Sequence, residues 1–381
     1  MVRYPKRRLT VELCVSVVGL AALAWAVRAD TPWFERHVLE TYCVTGPGDE
    51  RIVLGARLVG AGLGALLLIV VRPILGRRAA GLPIGELVVR VASVLLAAVA
   101  ALGVTEVWLR SRDPHPPSAP AWEEPRLRLD GRGWHYLPNQ TRVFPKYGRV
   151  VDYAIDGEGN RARRQQDVVD RARPTLLLAG ESMAYGWNVP YDESLQGLLE
   201  RETGLQVVNL SAPGYSTEQE YVRIADALPR FAKPVAVVLL LVNTQISRNA
   251  HTHRPHLEIA GDGTPVFAPA AGGLPGLRVV QLLTERLYHP ERAVQITAAI
   301  LRAADRAIRE RGARPIFLVT NFGPTCAREP ELLHELFEQQ RLPFVRVAIA
   351  EEDWLAANDR HAGPSGMRKL ADAVERALAG P

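Results

Sequence analysis

Residues Pro174–Asn188 read PTLLLAGESMAYGWN, and a change of pattern inside this stretch decides the fold. Thr175 to Ala179 is a short apolar run that reads as a buried strand; it breaks at Gly180-Glu181-Ser182, after which the spacing turns helical. A serine between a strand and a helix lies at the carboxyl edge of a parallel sheet. Open α/β folds bind ligands there, and a helix N-terminus can help stabilise an anion. This is a nucleophile's position, although serine is also a preferred helix N-cap.

Outward from this stretch the chain alternates. Apolar runs at Leu176–Ala179, Val207–Leu210, Val235–Leu241, Pro315–Thr320 and Phe344–Val347 read as strands. Helical spacing is found near Ser194–Glu202, Thr217–Leu228, Ala293–Glu310, Glu331–Gln339 and Ser365–Leu378. The alternation predicts a parallel sheet covered by helices. Pro255–Phe267, with Gly261-Asp262-Gly263, reads as an inserted hairpin, and no internal repeat is found.

Three further stretches follow the serine in order: VVNLSAPGYS (Val207–Ser216), VAVVLLLVNTQ (Val235–Gln245) and NDRHAGPSGMRKLADAV (Asn358–Val374). Together with GESMAYGWNVPYDESLQGLLE they resemble the SGNH/GDSL hydrolase family, in the pattern of its membrane-attached bacterial members. The resemblance runs from about Asp152 to the C-terminus and implies a three-layer, flavodoxin-like sheet. It implies Ser182 as nucleophile, His361 as base and Asp359 as the acid orienting it. It also implies an oxyanion hole of the Ser182 and Gly214 backbone N–H groups and the Asn243 amide. The chain departs from the family in several places: Glu181 replaces an aspartate, Leu241-Val242-Asn243-Thr244 stands where G-x-N-D is common, and Asp359 and His361 are two residues apart instead of three. Asp156-Gly157-Glu158-Gly159-Asn160-Arg161 is a loose version of the family's N-x-x-G-x-R.

A serine hydroxyl is a poor nucleophile at neutral pH; it needs a base within hydrogen-bond reach and donors aimed at the oxygen that becomes negative. His361, held by Asp359, meets the first need. Each residue also has a plainer reading: His361 as a surface histidine, Pro213-Gly214 as a turn. His251, His253 and His256 spell H-x-H-x-x-H, but no carboxylate-rich stretch supports them, so they read as an exposed loop and not a zinc site. No metal or other cofactor is expected.

The 381 residues leave room for more than this domain, and the apolar content is concentrated near the N-terminus. Leu9–Val27, Ile52–Val71 and Leu87–Leu109 each approach the ~20 residues that cross a bilayer. No small-x-small site follows Val27, so the first run reads as a span and not a cleaved signal peptide. Lys6, Arg7 and Arg8 precede the first run, and Arg72, Arg77 and Arg78 separate the second and third. The 28–51 loop mixes arginines with Asp30, Glu35, Glu40, Asp49 and Glu50. The positive-inside rule puts the N-terminus in the cytoplasm and, after three crossings, everything beyond Arg110 in the periplasm of a bacterial inner membrane. The net charge of +5 is then mostly a topology signal, and no basic, aromatic surface argues for nucleic acid.

Glu12, Arg57, Arg90 and Glu106 lie within or near these runs and read as anchoring or packing charges, with a polar pathway as the alternative. Gly55, Gly60, Gly62 and Gly64 permit close helix contact, in a compact hairpin or a homo-oligomer. Cys14, Cys43 and Cys326 have no metal spacing; Cys43 and Cys326 would share the oxidising side, either bridged or free.

The expected organisation is a membrane region at 1–110, a proline-rich spacer at 111–126, a small β region at 127–173 and the hydrolase-like domain at 174–381. The expected activity is esterase chemistry through an acyl-serine. The family and the location imply an O-acylated, chiefly O-acetylated, envelope or secreted glycan as substrate; residue chemistry alone would permit a lipid or another ester. An O-acyltransferase using the same serine, or a catalytically idle glycan- or partner-binding module, are the alternatives.

Overall fold

A computed structural model describes residues 6–30, 33–34, 47–81, 84–111, 127–130, 133–249, 256–261, 263–268, 290–321, 329–357 and 359–380. Cys43, Cys326, His251, His253 and nearly all of the expected spacer lie outside them. The described residues form two compact units, one of N-terminal helices and one holding the sheet.

The helical unit contains α1 (Lys6–Arg28), α2 (Pro47–Leu66), α3 (Arg72–Gly81) and α4 (Ile84–Ser111). A single π-helical turn, Leu67–Val71, joins α2 to α3. Pro73 supplies a cause, since it has no N–H to donate and its ring crowds the preceding turn. Two helical stretches, Arg8–Arg28 and Val53–Arg78, are long and apolar enough to cross a bilayer. The third apolar run lies within the 28-residue α4.

Glycines set the approach of α1 to α2. A Cβ on Gly64 would lie 2.8 Å from the Gly19 carbonyl oxygen, and one on Gly60 would lie 2.7 Å from the Trp25 ring. Gly55 and Gly62 meet nothing, so only half of the predicted small-residue set serves this contact. Arg57 donates to the Ala26 and Val27 carbonyls at 2.9 and 3.4 Å, satisfying the end of α1. Glu12 accepts from Arg8 at 2.8 Å.

In the second unit the hairpin β1 (Leu127–Asp130) and β2 (Gly133–Tyr136) precedes β3 (Gln140–Lys146), β4 (Arg149–Ile155) and β5 (Arg161–Ala162). Then come β6 (Pro174–Gly180), α5 (Ser182–Tyr185), α6 (Leu195–Thr203), β7 (Gln206–Asn209), α7 (Thr217–Ala227), β8 (Lys233–Val242) and α8 (Asn243–Arg248). The expected insertion is an antiparallel hairpin of β9 (His256–Ile259) and β10 (Pro265–Ala268). The chain continues through α9 (Pro290–Glu310), β11 (Arg314–Thr320), α10 (Glu329–Leu333), β12 (Phe344–Val347), β13 (Trp354–Ala356), β14 (Asp359–Ala362) and α11 (Pro364–Ala379).

The central sheet has the order β12-β11-β8-β6-β7-β5-β4-β3. Its five parallel strands run 2-1-3-4-5 when counted along the chain, the flavodoxin-like order, with the switch point between β6 and β8. Part of the small β region joins this sheet, since β5 pairs antiparallel with β7 and extends it through β4 and β3, while β1 and β2 form a two-stranded sheet of their own.

Period-two alternation divides the core. Leu177, Ala179, Leu239 and Leu241 face Ile224 of α7 and Ala298 and Leu301 of α9. Leu176, Leu178, Val238 and Leu240 face Leu198 of α6 and Met367 and Leu370 of α11. Strands buried on both faces are expected to read as continuous apolar runs, as these do. Each fully buried leucine contributes about 1.5–3 kcal/mol.

Candidate active site

The carboxyl ends of β6, β7 and β8 deliver three of the predicted residues to one edge. Gly180 pairs with Leu240, so Ser182, two residues on, and Asn243, three residues on, leave adjacent parallel strands at the switch point. Gly214 follows β7 in a turn with φ of 77°, a conformation that explains glycine there. Ser182 and Asn243 are both buried.

The helix after the serine is shorter than the sequence pattern suggests. α5 is one turn, with Glu181 and not Ser182 at its N-cap, and Gly186 ends it in the left-handed region at φ 81°. So short a helix offers little dipole, and charge stabilisation must come from individual donors.

His361 and Asp359 lie on β14, which pairs with β13 in a short hairpin. Residues two apart on a strand share a face, so the two-residue spacing is what this strand requires. His361 Nδ1 lies 2.6 Å from Asp359 Oδ1, and His361 Nε2 lies 2.9 Å from Ser182 Oγ. Asp359 Oδ2 accepts from the Tyr147 hydroxyl at 3.1 Å and sits 3.5 Å from the Asn188 amide. Burial opposes ionisation of Asp359. The bonds and charge of His361, with the Tyr147 bond, outweigh it and hold the pKa at about 2.

Ser182 and His361 open on a cleft of about 290 Å³ that Glu181, Trp187, Pro213, Gly214, Thr244 and Arg248 also line. The Trp187 ring centroid is 6.1 Å from that of His361. Thr244, at the position where the family often has an acid, lines the cleft itself.

Behind the serine lies a polar layer that the sequence motifs did not reveal. Glu181 Oε2 is 3.4 Å from Arg248 Nη1, which also donates to the Tyr215 carbonyl at 2.8 Å. Glu220 on α7 is buried and accepts from the Gln245 amide, while Gln245 accepts from the Val242 N–H at 2.7 Å. Burial, and then the nearby Glu181 charge, push the Glu220 carboxyl well above its ordinary range. Glu181 Oε1 and Glu220 Oε2 have no hydrogen-bond partner among the described residues. His256 is buried at the start of β9, and the described residues contain no cluster of metal-ligating side chains.

No family model matches the chain, and no curated protein matches it. Solved structures do match over roughly half its length. A member of the lipolytic protein G-D-S-L family from Veillonella parvula is 11% identical over 53% of this chain and 96% of that one, with a TM-score of 0.32. An acetyl xylan esterase from the rumen bacterium Butyrivibrio proteoclasticus is 11% identical over 56% and 65%, with a TM-score of 0.34. A salicylyl-acyltransferase from a tetracycline biosynthetic pathway is 15% identical over 56% and 55%, also with a TM-score of 0.34.

Proposed function

We propose that this chain is a membrane-anchored serine esterase that cleaves a small O-acyl ester through an acyl-serine intermediate. One observation carries the reading: His361 lies within hydrogen-bond distance of both Ser182 Oγ and Asp359 Oδ1, at 2.9 and 2.6 Å, beside an open cleft. A module that only bound its ligand would have no need for an imidazole held between a hydroxyl and a buried carboxylate.

Ser182 Oγ attacks the ester carbonyl as His361 Nε2 takes its proton, and Asp359 orients the ring and stabilises the imidazolium. We assign the oxyanion to the Ser182 and Gly214 N–H groups and the Asn243 amide. Collapse expels the alcohol, which takes the proton from His361. A water activated by the same base then frees the acid and restores Ser182.

A cleft of about 290 Å³ lies at the small end of ligand sites, in keeping with an acetyl-sized acyl group. Trp187 on its wall offers a ring face against which a sugar can lie. The N-terminal helices support anchoring: Leu13, Val17, Val27, Val59 and Ile69 are all exposed on them, which suits lipid and not water. Trp25, Trp33 and Phe34 cluster edge to face at the end of α1, as aromatic residues do at a membrane interface. With the basic flanks of the apolar runs on the cytoplasmic side, the site faces the periplasm in this reading and acts on an O-acylated envelope or secreted glycan.

The test is labelling of the full chain in detergent with a fluorophosphonate, followed by peptide mapping. Label on Ser182, lost in His361→Ala, is expected; an unlabelled chain would overturn the assignment. Product analysis with and without a glycan acceptor then separates hydrolysis from transfer.

A further inference from the structure

Arg161 is an anomaly of burial. It is 1% exposed, and among the described residues it forms no ion pair; a buried charge without a counter-ion is costly. Its guanidinium is instead spent on backbone. Nη1 donates to the Tyr185 and Gly186 carbonyls at 2.6 and 2.7 Å, and Nη2 donates to those of Val189 and Asp152 at 2.7 and 3.2 Å. The rings of Tyr153 and Tyr185 lie 4.8 and 5.3 Å from its carbon.

Three of the four carbonyls it gathers belong to the turn that leaves the nucleophile, and the fourth, that of Asp152, lies on β4. Ser182 stands three residues before Tyr185, and Asn188, between Gly186 and Val189, sits 3.5 Å from Asp359 Oδ2. The same turn is pinned from the sheet extension by the Tyr153 hydroxyl, which accepts from the Asn188 N–H at 2.7 Å. Gly186 cannot carry a side chain, because its Cβ would fall on Arg161 Nη1.

We propose, on the esterase reading above, that Arg161 is a positioning residue for the reaction: it fixes the 185–189 turn, and through it the registry of Ser182 with the carboxylate that orients His361. Lysine at this position keeps the charge but cannot fork across four carbonyls. A misplacement of about 1 Å at such a site can cost on the order of a hundredfold in rate.

The experiment uses the full chain in detergent and reads fluorophosphonate labelling of Ser182 in two ways, as a rate and as an end point per chain. For Arg161→Lys the rate should fall by about tenfold or more while the end point stays near that of the wild type. With p-nitrophenyl acetate, kcat should fall and KM hold. A role in stability alone would lower the end point and leave the rate unchanged, and that result overturns the inference. Should Arg161→Lys fail to fold, Asn188→Gly decides, since glycine keeps the positive φ of 54° without strain and removes only the amide beside Asp359. Slower labelling of that variant supports the relay, and an unchanged rate overturns it. A wild-type chain that takes no label overturns the esterase reading first; a labelled wild type with an equally fast lysine variant overturns this inference alone.

Discussion

Asp359 and His361 lie two residues apart on one strand with their side chains on the same face, joined Oδ1 to Nδ1 at 2.6 Å. The carboxylate is therefore fully engaged with the imidazole. Asp359→Asn should lower kcat by about a thousandfold or more, since an amide favours the wrong tautomer of the ring. Assay of the purified full chain in detergent checks this; a loss under tenfold would mean that the carboxylate is incidental.

The same carboxylate links folding to acid. Its folded pKa of about 2 lies below the ordinary value of 3.8, so its contribution to stability is present above about pH 4 and is lost as pH falls towards 2. The Asn variant has no such group. The thermal midpoint of the wild type should fall more steeply between pH 4 and 2 than that of Asp359→Asn.

Glu220 has the opposite sign. Its folded pKa is raised, so the stability of its neutral form is fully present below the ordinary carboxylate range and declines as pH rises from there towards the raised value. Glu220→Gln keeps the shape and an acceptor for Gln245 and removes the titration. Its midpoint should exceed that of the wild type at pH 7 by a few degrees, about what 1 kcal/mol gives a domain of this size, and the two should converge near pH 4. A wild type that is equally stable at both pH values would show that this carboxyl is not held neutral.

Much of this arrangement is legible in the chain because it rests on period and order. Buried on both faces, β6, β8 and β11 appear as unbroken apolar runs, and the serine follows the first of them. Sequence order does not report which strands pair, and so the attachment of β3, β4 and β5 to the edge of the main sheet stays hidden. The β13–β14 hairpin is hidden too: its strands of three and four residues are too short for alternation to register. Tyr147 lies outside the quoted stretches and Asn188 inside the first, with nothing to mark either as a partner of the carboxylate; both stand at positive φ in turns, and only the folded chain brings them to Asp359. Glu220 reads as one more acidic residue in the first turn of α7, and nothing local marks it as buried.

Topology follows from charge and span count. If Leu87–Leu109 crosses as the other two apolar stretches are expected to, alkaline phosphatase fused after Ser118 will be active and after Arg78 inactive. The reverse pattern would remove both the orientation and the periplasmic substrate.

Asn243 gives the sharpest test of catalysis against simple binding. It is the first residue after β8, buried, one strand over from Ser182 at the sheet's switch point, and Thr244 beside it lines the cleft. An amide that donates to the developing oxyanion stabilises the transition state more than the bound ester. Asn243→Ala should therefore lower kcat by about a hundredfold or more and leave KM nearly unchanged. If the residue only begins α8, its loss will appear in the thermal midpoint and not in kcat. Measured together on the full chain, a full-rate variant with a lowered midpoint would falsify the oxyanion role and leave the Ser182 and Gly214 N–H groups to carry that charge alone.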